Sequence, residues 1–109
     1  MAFYLFKARY SRAAVKAMVS EPQDRADAAR QIIEAMGGKL HHFFFALGDW
    51  DAIAIVEGPD DKMMVAGSLV VSASGTISDA STTKLMTADE AMEAMTMAKG
   101  AVDAYKSVT

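Results

Sequence analysis

The sequence predicts an α+β domain: a four-stranded antiparallel sheet in the order β-α-β-β-α-β, with one more helix after it. Three observations predict it. The stretch Phe43–Gly58, FFFALGDWDAIAIVEG, reads as two strands joined by a tight polar turn at Gly48-Asp49-Trp50-Asp51. Segments with helical periodicity lie on either side of that hairpin, each followed or preceded by a further strand. The helical segments open on capping residues and close on glycine or turn chemistry.

Ala2–Tyr10 is the first strand. Side chains alternate along a strand, so Tyr4, Phe6, Ala8 and Tyr10 share one face and Phe3, Leu5, Lys7 and Arg9 the other. The second set begins apolar and ends basic. Lys7 and Arg9 therefore stand at the mouth of a cavity or in solvent, with solvent the plainer reading. Ser11 caps a short helical piece over Ser11–Val19. Ser20 is the expected cap of the next helix, with Gln23 completing a capping box and Pro22 tolerated in the first turn. Ala29, Ile32, Ile33 and Met36 form its apolar stripe, and Gly37-Gly38 stops it with a left-handed cap.

Lys39–Leu47 is the second strand and Asp51–Glu57 the third. Both are apolar enough for the central strands of a sheet covered on both sides. Gly58-Pro59-Asp60 is a turn, and Asp60 caps a helix over Asp61–Ala73. Met63, Met64, Val65, Leu69 and Val70 spread around most of its circumference, so it needs cover on more than one side. Gly75–Met86 is the fourth strand, and its Ser and Thr residues fit an edge or a wet face. Thr87-Ala88-Asp89-Glu90 is a capping box opening a last helix to about Tyr105, with Ala91, Met95, Ala98, Val102 and Tyr105 as its stripe. Residues 1–87 thus read as the domain. Residues 88–109 read as a helical extension, packed on the same domain as a lid over the preceding helix or on a partner subunit. The element order is the ferredoxin-like arrangement, with its helices on one face. A lone copy leaves the other face bare. Strands apolar on both faces then predict a homodimer stacked sheet to sheet around a shared core or cavity.

At 109 residues the chain is long enough for one domain with a modest core, and 52% hydrophobic composition excludes disorder. The net charge of -3 comes without a basic patch, which argues against nucleic acid. The absence of cysteine excludes disulfides and thiolate chemistry. No apolar run approaches the roughly 20 residues that span a bilayer. The N-terminus, MAFYLFKARY, reads as a strand without the basic lead and cleavage site of an export signal, so a cytoplasmic protein is expected. Nine methionines fit a soft core or a subunit contact more simply than a ligand site.

KARYS at Lys7–Ser11, IIEAMGGKL at Ile32–Leu40 and LGDWDAIAIVEGPDD at Leu47–Asp61 resemble the GYD domain family, over roughly Met1 to Thr87. That family takes its name from a Gly-(Tyr)-Asp turn, seen here as Gly48 followed by Trp50-Asp51, with Trp in place of Tyr. The resemblance implies a ferredoxin-like fold of the dimeric α/β-barrel type and carries no established activity. The fourth strand, ISDASTTKL, departs from the Arg/Glu-containing pattern of the family.

Few residues point to chemistry. His41 and His42 are the two histidines, and neighbours on a regular strand point to opposite faces. On that reading His42 shares a face with Phe44, and His41 with Phe43 and Phe45. A histidine on the enclosed side would serve as a general base or as an axial ligand to haem; the plainer reading is a hydrogen-bonded strand residue. Asp51 begins a strand and, if buried, needs a partner such as Arg9 or a backbone amide. His42 and Asp51 are thus the catalytic candidates, and Lys7, Arg9, His42, Phe44 and Trp50 the ligand-binding candidates. Asp60-Asp61 reads as helix capping rather than a metal site. No metal motif, phosphate loop or nucleophile elbow is present, so no metal or other cofactor is predicted beyond the haem alternative. The expected partners are a second copy and a small apolar or aromatic ligand, with no nucleic acid and no membrane. The first functional expectation is a homodimeric ligand-binding domain with its pocket at the sheet face. The alternatives are a cofactor-independent or haem-dependent monooxygenase-like enzyme, and an assembly protein with no pocket.

Overall fold

The computed structural model describes residues 1–109. Its strands are β1 (Ala2–Tyr10), β2 (Lys39–Phe45), β3 (Ala52–Gly58) and β4 (Ile77–Leu85). Its helices are α1 (Arg12–Ser20), α2 (Arg25–Ala35), α3 (Asp61–Ala73) and α4 (Ala88–Ala101), and a 3₁₀ turn follows at Val102–Ala104. The sheet is antiparallel throughout, in the order β2-β3-β1-β4. This is the expected α+β, ferredoxin-like architecture with an added C-terminal helix, and its first crossover contains two helices. No helix is long and apolar enough to cross a membrane.

Alternation along the two central strands sets the faces. Tyr4 and Ala8 of β1 and Ala52, Ala54 and Val56 of β3 are buried toward the helices. Met63 and Met64 of α3 close over them, and Phe6, Ile33, Met36, Leu40 and Phe43 flank this core. The caps explain where the helices start. Ser11 Oγ accepts from the Ala14 amide at 3.1 Å, and Asp60 Oδ1 from the Met63 amide at 3.0 Å. Thr87 and Glu90 form the full reciprocal capping box of α4. Gly37 at φ +84° ends α2 in the left-handed region that favours glycine.

Four expectations need correction. Ser20 does not cap α2; it ends α1. Glu21 precedes Pro22 and has left the helical region, at φ -142°, as the proline ring favours, so the cap shifts to Asp24, which accepts from the Asp27 amide. β2 is an edge strand, because β1 occupies the centre and pairs with both β3 and β4. Phe44 and Phe45 are consequently 60% and 61% exposed. Each strand is also shorter at the hairpin than expected, since Ala46–Asp51 all belong to the turn. Finally, α4 is not a lid over α3. It projects from the body with no buried residue, and Met92, Met95 and Met97 stand in the open. The chain extends over 61 × 33 × 21 Å with a radius of gyration of 17.9 Å, against about 13 Å for a compact chain of this length. An apolar stripe shows that a helix has a side to cover, not which surface covers it.

One polar contact ties three elements together. Tyr4 Oη donates to Asp61 Oδ1 at 2.6 Å, and Lys84 Nζ lies 3.2 Å from the same oxygen. The bond from Tyr4, then that from Lys84, holds the Asp61 carboxyl below its usual range. The same bond, with burial, pushes the Tyr4 phenol up to about 12. Asp61 therefore contributes stability above the ordinary carboxylate range that is lost as pH falls through its lowered pKa. Tyr4 contributes stability below the ordinary tyrosine range that is lost as pH rises toward its raised pKa. Thermal melts across pH should fall at both extremes. Tyr4→Phe should melt lower at neutral pH and show a smaller alkaline fall, the remainder coming from Tyr10, whose phenol burial also pushes up.

A second prediction concerns Gly38, where α2 runs into β2. A Cβ there would lie 2.6 Å from Met63 Cε and 2.7 Å from the Glu57 carbonyl oxygen. Gly38→Ala should destabilise by about 1–3 kcal/mol in chemical denaturation, because the backbone oxygen cannot yield as a side chain does.

Candidate functional site: the open face of the sheet

The helices cover one face of the sheet and leave the other to solvent. Phe3, Leu5, Lys7 and Arg9 lie along the middle of that open face, opposite Glu57, Ile55 and Ile53 of β3 in the case of the first three. Leu85, Thr83, Ser81 and Asp79 continue it on β4. His42 and Phe44 extend it onto β2, opposite Ile55 and Ile53. Leu5, Ile53 and Ile55 are half-buried and Phe44 is exposed, which makes an apolar floor.

One end of the floor is basic and aromatic. The turn after β2 folds Trp50 back onto β1. Gly48 permits this with φ +148°, where a side chain would be strained. The Arg9 guanidinium carbon lies 4.3 Å from the Trp50 ring centroid and Lys7 Nζ lies 5.3 Å from it. Arg9 is itself fixed: Nε donates to the Asp49 carbonyl and Nη1 to Asp79 Oδ2, each at 2.6 Å. Lys7 and Arg9 are thus neither loose in solvent nor paired to Asp51. Asp51 does have a backbone partner: half-buried, its Oδ2 accepts from the Tyr10 amide at 2.9 Å. Its own amide donates to the Ala8 carbonyl and its carbonyl accepts from the Ala46 amide, so Asp51 stitches the hairpin turn to β1.

The opposite end is polar. The expectation that His41 and His42 point to opposite faces does not hold. Leu40 pairs with Val56 and His42 with Ile55, so His41 is an extra residue in a bulge. The bulge turns both rings to the open face. His41 Nε2 lies 2.8 Å from Glu57 Oε1, with side chains 28% and 24% exposed, and its ring sits 5.4 Å from that of Phe3. His42 stacks on Phe44 with centroids 5.9 Å apart. The face therefore runs from a cationic, aromatic end over an apolar middle to a His–Glu pair, about 13 Å along β1 from Lys7 to Phe3.

The residues predicted for a ligand all lie on this face. Lys7, Arg9 and Trp50 come together at one end, and His42 and Phe44 stand side by side on β2. Sequence reasoning missed Glu57 as the partner of His41. The available signal was its position as the one acid in AIAIVEG, in register with Phe3. No three His, Asp or Glu side chains converge in a metal-binding group. A separate apolar cavity of about 130 Å³ lies on the other side of the sheet, beneath α2 and α3.

The family model of the GYD domain matches residues 4–95. The chain belongs to the GYD domain family. No curated protein matches the chain. The GYD match takes in all four strands from Tyr4 of β1 onward and runs past Thr87 into α4. The Gly48 to Asp51 turn lies within the matched residues and is the segment that delivers Trp50 to the open face and Asp51 to the β1 backbone.

Arg9→Ala removes an exposed ion pair and a cation–π contact together. It should cost about 1 kcal/mol and shift Trp50 emission to the red, since the indole loses its cover. Asp79→Asn should cost less than about 0.5 kcal/mol, because the Asp49 carbonyl still holds the guanidinium. Chemical denaturation and the fluorescence of the single tryptophan check both.

Proposed function

We propose that this GYD protein is a homodimeric small-ligand-binding domain that holds an apolar or aromatic ligand against the open face of its sheet. The observation that carries the reading is the composition of that face. Leu5, Ile53, Ile55 and Phe44 form an apolar floor that a single copy leaves uncovered. Exposed apolar patches of this kind mark interaction surfaces. A second copy related by a two-fold axis would roof the floor with the same residues. A ligand between the sheets would lay its apolar body on Leu5, Ile53 and Phe44. Lys7 has no carboxylate partner, so an acidic group on the ligand would find it beside Trp50.

The His41–Glu57 pair favours a second reading, a cofactor-independent enzyme of the dimeric α/β-barrel type. A carboxylate at 2.8 Å orients an imidazole to take or give a proton at its other nitrogen.

Sedimentation equilibrium tests the dimer and native mass spectrometry of protein from its own cells tests the ligand. The wild-type chain should be dimeric at micromolar concentration and carry a reproducible small-molecule mass. Phe44→Glu buries a charge at the proposed seam and should weaken the dimer at least tenfold, about 1.4 kcal/mol or more. A wild-type chain that is monomeric at high micromolar concentration would overturn the reading.

A further inference from the structure

We propose that the helix side of the sheet holds a second binding site, separate from the open face, for one neutral aromatic ring. α2 and α3 both lie over the sheet but barely touch each other, and an apolar cavity of about 130 Å³ opens between them. The reason is visible in the sequence. Small residues meet from three sides: Ala28 and Ala29 on α2, Gly67 on α3, and Ala52 and Ala54 on the floor. No large side chain fills the gap they leave. Three methionines, Met36, Met63 and Met64, and Phe43 stand around it.

The chemistry of this wall selects the occupant. Seventeen of its 21 lining residues are hydrophobic, and no buried side-chain polar atom lacks a hydrogen bond. Water held there would find polar side chains only at Tyr10, Arg25, Ser68 and Thr76, against a wall that is otherwise apolar. An ion would lose its hydration with Arg25 as the one charged residue in the lining. A dry cavity of about 150 Å³ lined by aliphatic and aromatic side chains takes a benzene ring. Methionine suits such a wall, because its thioether adapts in shape and packs favourably on ring edges. The sheet separates this cavity from Trp50, so the site does not depend on the dimer or on the proposed ligand of the open face.

Benzene is the probe, and the methyl NMR signals of methionine are the readout. Titration of the full chain should shift the Met36, Met63 and Met64 methyls along a saturable curve and leave the Trp50 indole N–H in place. Gly67→Leu points a side chain into the cavity from a position where a Cβ meets only Met36 Sδ, at 3.7 Å. It should weaken benzene binding at least tenfold and raise the melting temperature. Ala29→Leu fills the same space from α2 and should act alike if the first variant folds poorly. Non-saturable methyl shifts in the wild-type chain would overturn the proposal. So would saturable binding that both filling variants leave unchanged.

Discussion

The structure depends on the two-sided pairing of β1. As the central strand it is hydrogen-bonded to β3 on one flank and β4 on the other, so its alternation defines both faces of the molecule at once. Tyr4 and Ala8 go under the helices, and Leu5, Lys7 and Arg9 go to the open side. A slip of one residue would send Lys7 and Arg9 into the core and Tyr4 into water, which is why the register is strongly determined. Tyr4 reinforces it. Its hydroxyl reaches Asp61 at the start of α3, where Lys84 of β4 joins the same carboxylate.

The two ends of the open face are held differently. At one end Arg9 is locked by a carbonyl and a carboxylate, so the plane of its guanidinium is set, and Trp50 lies against a fixed surface. At the other end a bulge supplies the geometry. One extra residue in β2 brings His41 to Glu57 and leaves His42 beside Phe44. Between these ends Leu5, Ile53 and Ile55 form a contiguous apolar patch, flanked by Thr83 on β4 and His42 on β2. Rigid polar ends around an apolar floor are the arrangement by which binding sites fix the orientation of a largely apolar ligand. The helix side is the reverse: apolar and underfilled, with Arg25 the one charge in the cavity lining and small residues where a compact core would place leucine.

Much of the fold was legible because it rests on local chemistry. The caps at Ser11, Asp60 and Thr87, the left-handed Gly37 and the alternation of β1 each follow from residues a few positions apart. What was not legible depends on distant partners. Strand order decides that β2 is an edge, and apolar content alone pointed to a central strand. The face of His41 depends on a bulge, which inserts one residue into a ladder without any glycine or proline to announce it. The projection of α4 depends on what surface is available to cover it. The site was legible in part: Lys7, Arg9 and Trp50 converge, but Asp79 and Glu57, which hold Arg9 and His41, come from strands whose register no local pattern gives.

The central claim is that a second copy covers the open face. Isotope-filtered NOE spectroscopy on a mixture of labelled and unlabelled chains tests it most directly. The account predicts contacts between copies among the methyl groups of Leu5, Ile53 and Ile55 and the ring of Phe44. Contacts between copies confined to Met92, Met95 and Met97 of α4, with those sheet methyls exposed to solvent, would contradict it.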